Sequence, residues 1–174
     1  MEQKKKLVMF IKVSLIISFF IIFLSFVRSC LYVQLSPPKE SICGTKLKKL
    51  SHYCVVYEHN KGSLPHLSDW CDLLGPYVEP DIPAILNPVY QCPVDEIGPC
   101  SYVMNENIPD GSGGLPADLV LLFESAPGWN QVGGADDVVT DRHGKPGANI
   151  AFADGHVEFV NAEDIPILRW TVDE

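Results

Sequence analysis

The stretch 142–160, RHGKPGANIAFADGHVEFV, constrains the fold of this chain more than any other. Two short alternating runs, Ile150 to Ala153 and His156 to Val160, are joined by Asp154-Gly155. An Asp-Gly pair between such runs predicts a β-hairpin with a two-residue type I′ turn, because both central residues of that turn need φ > 0. The turn sets an expected register in which Ala153 faces His156, Phe152 faces Val157, Ala151 faces Glu158 and Ile150 faces Phe159. Strand side chains alternate faces, so Ile150, Phe152, Val157 and Phe159 are expected on one apolar face. Ala151, Ala153, His156 and Glu158 fall on the other. A half-buried hairpin of this kind must cover a core.

At the other end, MEQKKK precedes an apolar run from Leu7 to Val33 that is broken only by Lys12 and Arg28. Val13 to Val27 is uninterrupted. With the two cations snorkelling at its ends, the run is read as a membrane span of about twenty residues. The Lys4-Lys5-Lys6 cluster then stays cytoplasmic and the remainder is exported. Two rivals stay open: Val27-Arg28-Ser29-Cys30 loosely fits a lipoprotein site with Cys30 lipidated, and conventional cleavage near Val27 and Ser29 would release the domain. The chain thus divides into an anchor, 1–36, and an exported domain, 37–174. Charge follows that division, with net +4 in the first part and −13 in the second. So acidic a domain repels nucleic acid phosphates, and no nucleic acid partner is expected.

Ser36-Pro37-Pro38 interrupts the first helix, since consecutive prolines remove donors and clash with the preceding turn. A second helix is expected from Lys39, with Cys43, Leu47, Leu50, Cys54 and Tyr57 on one stripe and Gly62 as its stop. Leu73 to Tyr77 reads as a short helix running into a turn, and Ser101 to Met104 as a short strand. Leu119 to Phe123, LVLLF, reads as a central strand covered on both faces. Gly128 to Asp141 reads as a long loop, and Arg169 to Val172 as a terminal edge strand. The expected fold is α+β, an amphipathic helix on a small antiparallel sheet.

Six cysteines and no CxxC spacing favour an oxidising compartment over a zinc fold. Cys92 and Cys100 are close enough for a local disulfide. Cys43 and Cys54 cannot bridge from one helix, where eleven residues separate them by roughly 16 Å. That leaves Cys54 with Cys71 as the next pair.

This arrangement resembles bacterial pilin-like proteins, which carry a membrane helix, a small globular domain and a C-terminal His, nine residues, then Asp-Gly. Here His143 is followed by ten residues before Asp154-Gly155, and the Lys145-Pro146-Gly147 turn accounts for the extra one. The motif residues are His143, Asn149, Asp154, Gly155 and His156. LKKLSHYCVVYEHNKGSLP (47–65), CPVD (92–95), SYVMN (101–105) and LVLLFESAPGWNQVGG (119–134) extend the likeness along nearly the whole chain. The resemblance implies a pseudopilin-like structural or interaction protein of an envelope or type II secretion-like assembly. It would sit single-pass in the bacterial cytoplasmic (inner) membrane, N-terminus inside, with other membrane-anchored or pilin-like proteins and the lipid bilayer as partners. One departure stands out: the Gly-Phe processing site and the Glu that prepilins place at the start of the apolar helix are missing. A buried carboxylate there implies assembly, so both prepilin processing and filament formation lose their support.

Enzymatic signatures are missing too: there is no Gly-x-Ser-x-Gly, no phosphate loop, no HExxH and no dinucleotide fingerprint. Glu124 and Ser125 read as a strand end turning polar, not as acid and nucleophile. No catalytic or cofactor-binding residue is assigned. His143, Asp154 and His156 form the first metal candidate, through imidazole and carboxylate ligands. Calcium on Asp136, Asp137 and Asp141 is the second. Each of the first three also has a structural use, in the turn, in solvent contact or in a backbone hydrogen bond, and that reading is preferred. Trp70, Trp129 and Trp170 are read as packing residues. The rival functional class is an anchored or lipidated module that binds a ligand or divalent ion.

Overall fold

A computed structural model describes residues 2–35, 39–95 and 98–173, with side chains at 9, 12, 14–29 and from 41 onward. The Ser36-Pro37-Pro38 break and the side chains of Cys30 and of the Lys4-Lys5-Lys6 cluster lie outside the described residues. The chain forms two compact units, Met1–Pro37 and Pro38–Glu174.

The first unit is a single helix, α1 (Glu2–Leu35). Every large apolar side chain from Leu15 to Val27 is exposed, between 43% and 72%. Among the described residues, no helix is long and apolar enough to cross a membrane.

The second unit is α+β. Helix α2 (Lys39–Lys61) ends at Gly62, whose φ of 82° suits a helix stop. The expected stripe is the buried one: Cys43, Leu47, Leu50, Cys54 and Tyr57 are all buried, the last four in the main core. Helix α3 (Trp70–Val78) packs beside α2. Five strands follow: β1 (Tyr102–Asn105), β2 (Val120–Glu124), β3 (Val132–Gly133), β4 (Gly147–Phe152) and β5 (Val157–Asn161), in the order β3-β1-β2-β4-β5. The LVLLF run therefore does supply the central strand. It is buried throughout, because two cores flank it. Leu47, Leu50, Trp70 and Met104 lie in the core on the helix side. Val103, Phe123, Ile150, Ile165 and Trp170 fill the other, under the C-terminal segment.

Three expectations are corrected, and β2 adds an irregularity that no sequence expectation addressed. The sheet is mixed, since β3 runs parallel to β1 while the other pairs are antiparallel. Arg169 to Val172 is not a strand; Arg169 makes one isolated bridge to Leu119, and Trp170 turns inward to donate from Nε1 to the Ile165 carbonyl. The alternation of β2 breaks at a bulge between Val120 and Leu122, which sends both Leu121 and Leu122 to the helix side.

The third correction is the hairpin register. Ala151 pairs with Val157 and Ile150 with Glu158, one residue away from the expected pairing. The loop has three residues, not two: Gly155 donates to the Phe152 carbonyl, and the Phe152 amide to that of His156. Gly155, at φ 86°, takes the left-handed position that closes such a loop. A one-residue slip changes the faces. Ile150 and Phe152 join Val160 in the core away from the helices, whereas Val157 packs toward them and Phe159 lies opposite Asn149.

Truncating the helix stripe tests this packing directly. Leu50→Ala is expected to lower the unfolding free energy by about 2–5 kcal/mol. Val55→Ala, on the exposed face of α2, should change it by about 0.5 kcal/mol or less. Denaturant titration of both variants checks the difference.

Candidate functional site

The sheet register places one polar row beneath the start of α2. Tyr102 of β1 lies opposite Glu124 of β2, and Asn149 of β4 lies opposite Phe159 of β5. The Phe123–Ile150 pairing puts Glu124 beside Asn149. Glu124 is the decisive member, a carboxylate at 0% exposure. Burying a charge without partners is strongly unfavourable, and this one is fully met. His143 donates from Nε2 to its two oxygens at 2.9 and 3.0 Å. The Asn149 backbone amide donates to Oε2 at 2.9 Å, and Asn149 Nδ2 to Oε1 at 3.0 Å. The His143 side chain is itself only 1% exposed, and its Nδ1 has no hydrogen-bond partner among the described residues.

Helix α2 sits close over this row. A Cβ on Gly44 would lie 2.8 Å from Asn149 Oδ1, so only glycine lets the helix come so near. Tyr102 donates its hydroxyl to the Cys43 carbonyl at 3.1 Å. Burial first, and the Glu124 carboxylate second, push that hydroxyl's pKa up and keep it a donor. Arg142, next to His143, pairs with Asp95 at 3.1 Å and donates from Nη2 to the Ser125 carbonyl at 2.6 Å. Consecutive side chains thus fasten the 141–146 loop to the end of β2.

A disulfide closes the corner, and it is neither of the expected ones. Cys43 of α2 is bonded to Cys92, with Cα atoms 5.2 Å apart. Cys54, Cys71 and Cys100 are free and buried together in the core on the helix side, to which neither Cys43 nor Cys92 belongs. The expected Cys92–Cys100 and Cys54–Cys71 bridges are therefore corrected. Closeness in sequence misled for Cys92, because Cys100 turns its sulfur inward to the Tyr102 carbonyl at 3.3 Å. Burial raises the Cys54 and Cys71 thiol pKa values well above their usual range, which leaves both thiols unreactive.

The motif residues divide between two places. His143 and Asn149 belong to the Glu124 corner. Asp154, Gly155 and His156 form the turn at the far end of β2, where Asp154 donates its amide to the Ala117 carbonyl. The length of β2, Val120 to Glu124, about 13 Å at the usual rise per residue, lies between the two places. The structure does not bring His143 together with Asp154 and His156. Asp154 instead accepts from the His156 amide and ring, and these bonds lower its pKa, the amide bond most. His156 stacks on Phe152 with ring centroids 4.3 Å apart. Asp154 and Gly155 border an open cleft of about 420 Å³ against Lys48, Lys49 and His52 of α2. The motif therefore cradles α2 at two points along its length.

Nor do Asp136, Asp137 and Asp141 converge; Asp137 accepts from the Gly134 amide at 2.9 Å and caps its own turn. Among the described residues, the one set of three or more His, Cys, Asp or Glu side chains that does converge is Cys43, Cys92, Glu124 and His143. Of these four, sequence reading held only His143 as a metal candidate; it missed Cys43 and Glu124 and gave Cys92 to a local disulfide. The available signal was a glutamate closing an otherwise apolar strand. Ser125 donates its hydroxyl to the Asp137 carbonyl at 2.6 Å, a structural bond. The tryptophans are packing residues, Trp70 and Trp129 on the helix side and Trp170 on the other.

His143→Ala strands a buried carboxylate and should cost about 3–5 kcal/mol of stability. His156→Ala, at a side chain 48% exposed, should cost about 1 kcal/mol or less. Equal losses from the two variants in chemical denaturation would contradict this division of the motif.

Comparison with protein-family models, with curated proteins and with solved structures gives no match. The chemistry of this corner is therefore read from its own residues.

Proposed function

We propose that the chain is a membrane-anchored, pilin-like structural or interaction protein of an envelope or secretion-type assembly, and that it performs no catalysis. The observation that carries this reading is α1, whose apolar side chains from Leu15 to Val27 are exposed. An apolar helical surface of that size requires a bilayer or apolar partners around it. Lys12 and Arg28 bound the run, and the lysines at 4, 5 and 6 favour an N-terminus held in the cytoplasm. The Cys43–Cys92 disulfide agrees with an exported domain, because such bonds persist in oxidising compartments. The domain's polar cluster is committed to holding α2 on the sheet. That use supports a scaffold more than an active centre.

Alkaline carbonate extraction of membranes tests the anchor. The full chain should stay in the membrane pellet, and a chain lacking residues 1–36 should move to the soluble fraction. Full-length protein in the soluble fraction would sink the reading. Intact mass then separates the anchors: an unmodified full-length mass supports a retained helix, and a mass beginning at Cys30 plus acyl chains would replace it with a lipoprotein.

A further inference from the structure

The corner beneath α2 does more than carry a disulfide. We propose that reduction of the Cys43–Cys92 bond turns it into a buried zinc site whose four ligands are Cys43, Cys92, Glu124 and His143. One ligand atom from each residue lies within 4.8 Å of all the others. Tetrahedral zinc, with sulfur at about 2.3 Å and nitrogen or oxygen at about 2.0 Å, spaces its ligands roughly 3.3–3.8 Å apart. Once the sulfurs are free to separate, side-chain adjustments of about an ångström close that gap.

The donor set selects the ion. Two thiolates and an imidazole are soft or borderline ligands that suit zinc, whereas calcium and magnesium require oxygen. All four side chains are buried, as in a closed structural site with no open coordination position. His143 keeps a ring nitrogen, Nδ1, without a hydrogen-bond partner among the described residues. Asn149 already holds the Glu124 carboxylate through two hydrogen bonds, the kind of support that orients a metal ligand. The ligands come from α2, the Cys92 loop, the end of β2 and the 141–146 loop. An ion there would staple the same segments that the disulfide now joins.

The chemistry balances with a dithiol as reductant. One of its thiolates attacks a sulfur of the bond to form a mixed disulfide. Its second thiol displaces that sulfur and closes the reductant's own disulfide, which leaves Cys43 and Cys92 as thiols. Zinc then binds both as thiolates and expels their two protons to water. The inference rests on this geometry alone and is independent of the membrane reading.

The test uses the full chain in detergent, oxidised or reduced with a phosphine that does not compete for metal, and cobalt(II) followed by zinc(II) as probes. The reduced protein should gain a thiolate-to-cobalt charge-transfer band and the intense visible bands of tetrahedral cobalt, all lost on adding zinc. It should retain one zinc per chain after desalting, and the oxidised protein should retain none. The double variant Cys43→Ser/Cys92→Ser leaves the Glu124–His143 pair intact and should lose the bands. The triple variant Cys54→Ser/Cys71→Ser/Cys100→Ser should keep them. The proposal is overturned if the reduced chain gives no thiolate–cobalt band, or if the band survives the double variant. It is equally overturned if the reduced chain is unfolded whether or not zinc is present.

Discussion

A carboxylate with no exposure to water governs the second unit of this protein. Glu124 closes the central strand, where an ionised group without partners would be untenable. His143 and Asn149 supply its donors, and each brings a piece of the fold along. His143 fixes the loop that enters β4, with Arg142 beside it. Asn149 fixes β4 against β2 and sits close under Gly44 of α2. The disulfide from Cys43 then ties the same turn of α2 to the Cys92 loop. Replacing the buried pair with apolar residues of similar volume is often neutral in proteins, whereas removing one partner is not. The pair therefore does more for specificity of arrangement, one loop and one helix register, than for net stability.

This arrangement gives physical content to the His and Asp-Gly motif. Its two halves do not meet. One half satisfies the glutamate under the start of α2, and the other forms the turn beside Lys48, Lys49 and His52 further along the helix. In the proposed anchored protein, α2 is the element that follows the anchor along the chain. Any load passed along the backbone enters the domain there, where the disulfide and the Glu124 row hold it. The free thiols lie in the core on the helix side, and of the three Cys100 reaches toward the corner, donating to the Tyr102 carbonyl.

Much of this was legible in the sequence, for identifiable reasons. The α2 stripe repeats at helical spacing over five positions, and all five are buried. LVLLF had to be covered on both faces, and the C-terminal segment supplies the second cover. What escaped depended on details that periodicity does not carry. Asp-Gly ends a three-residue loop as readily as it makes a two-residue one, so the hairpin register slipped by one. An uninterrupted apolar run has no alternation to break, which hid the bulge at Leu121. A two-residue parallel strand, Val132–Gly133, has no period at all. Glu124 and His143 are nineteen positions apart, and only the strand pairing between them brings them together. The disulfide was missed because spacing along the chain does not show that the Cys92 segment folds back onto the start of α2.

A double-mutant cycle on Glu124 and His143, read by equilibrium unfolding with the disulfide intact, tests the central claim most directly. Glu124→Leu and His143→Ala should each be strongly destabilising, while the double variant should fall short of their sum by about 1.5 kcal/mol or more, within the range for residues in one hydrogen-bond network. Losses that add to within about 0.5 kcal/mol would mean that the two side chains act independently, and that the glutamate is not what holds the loop and helix in place.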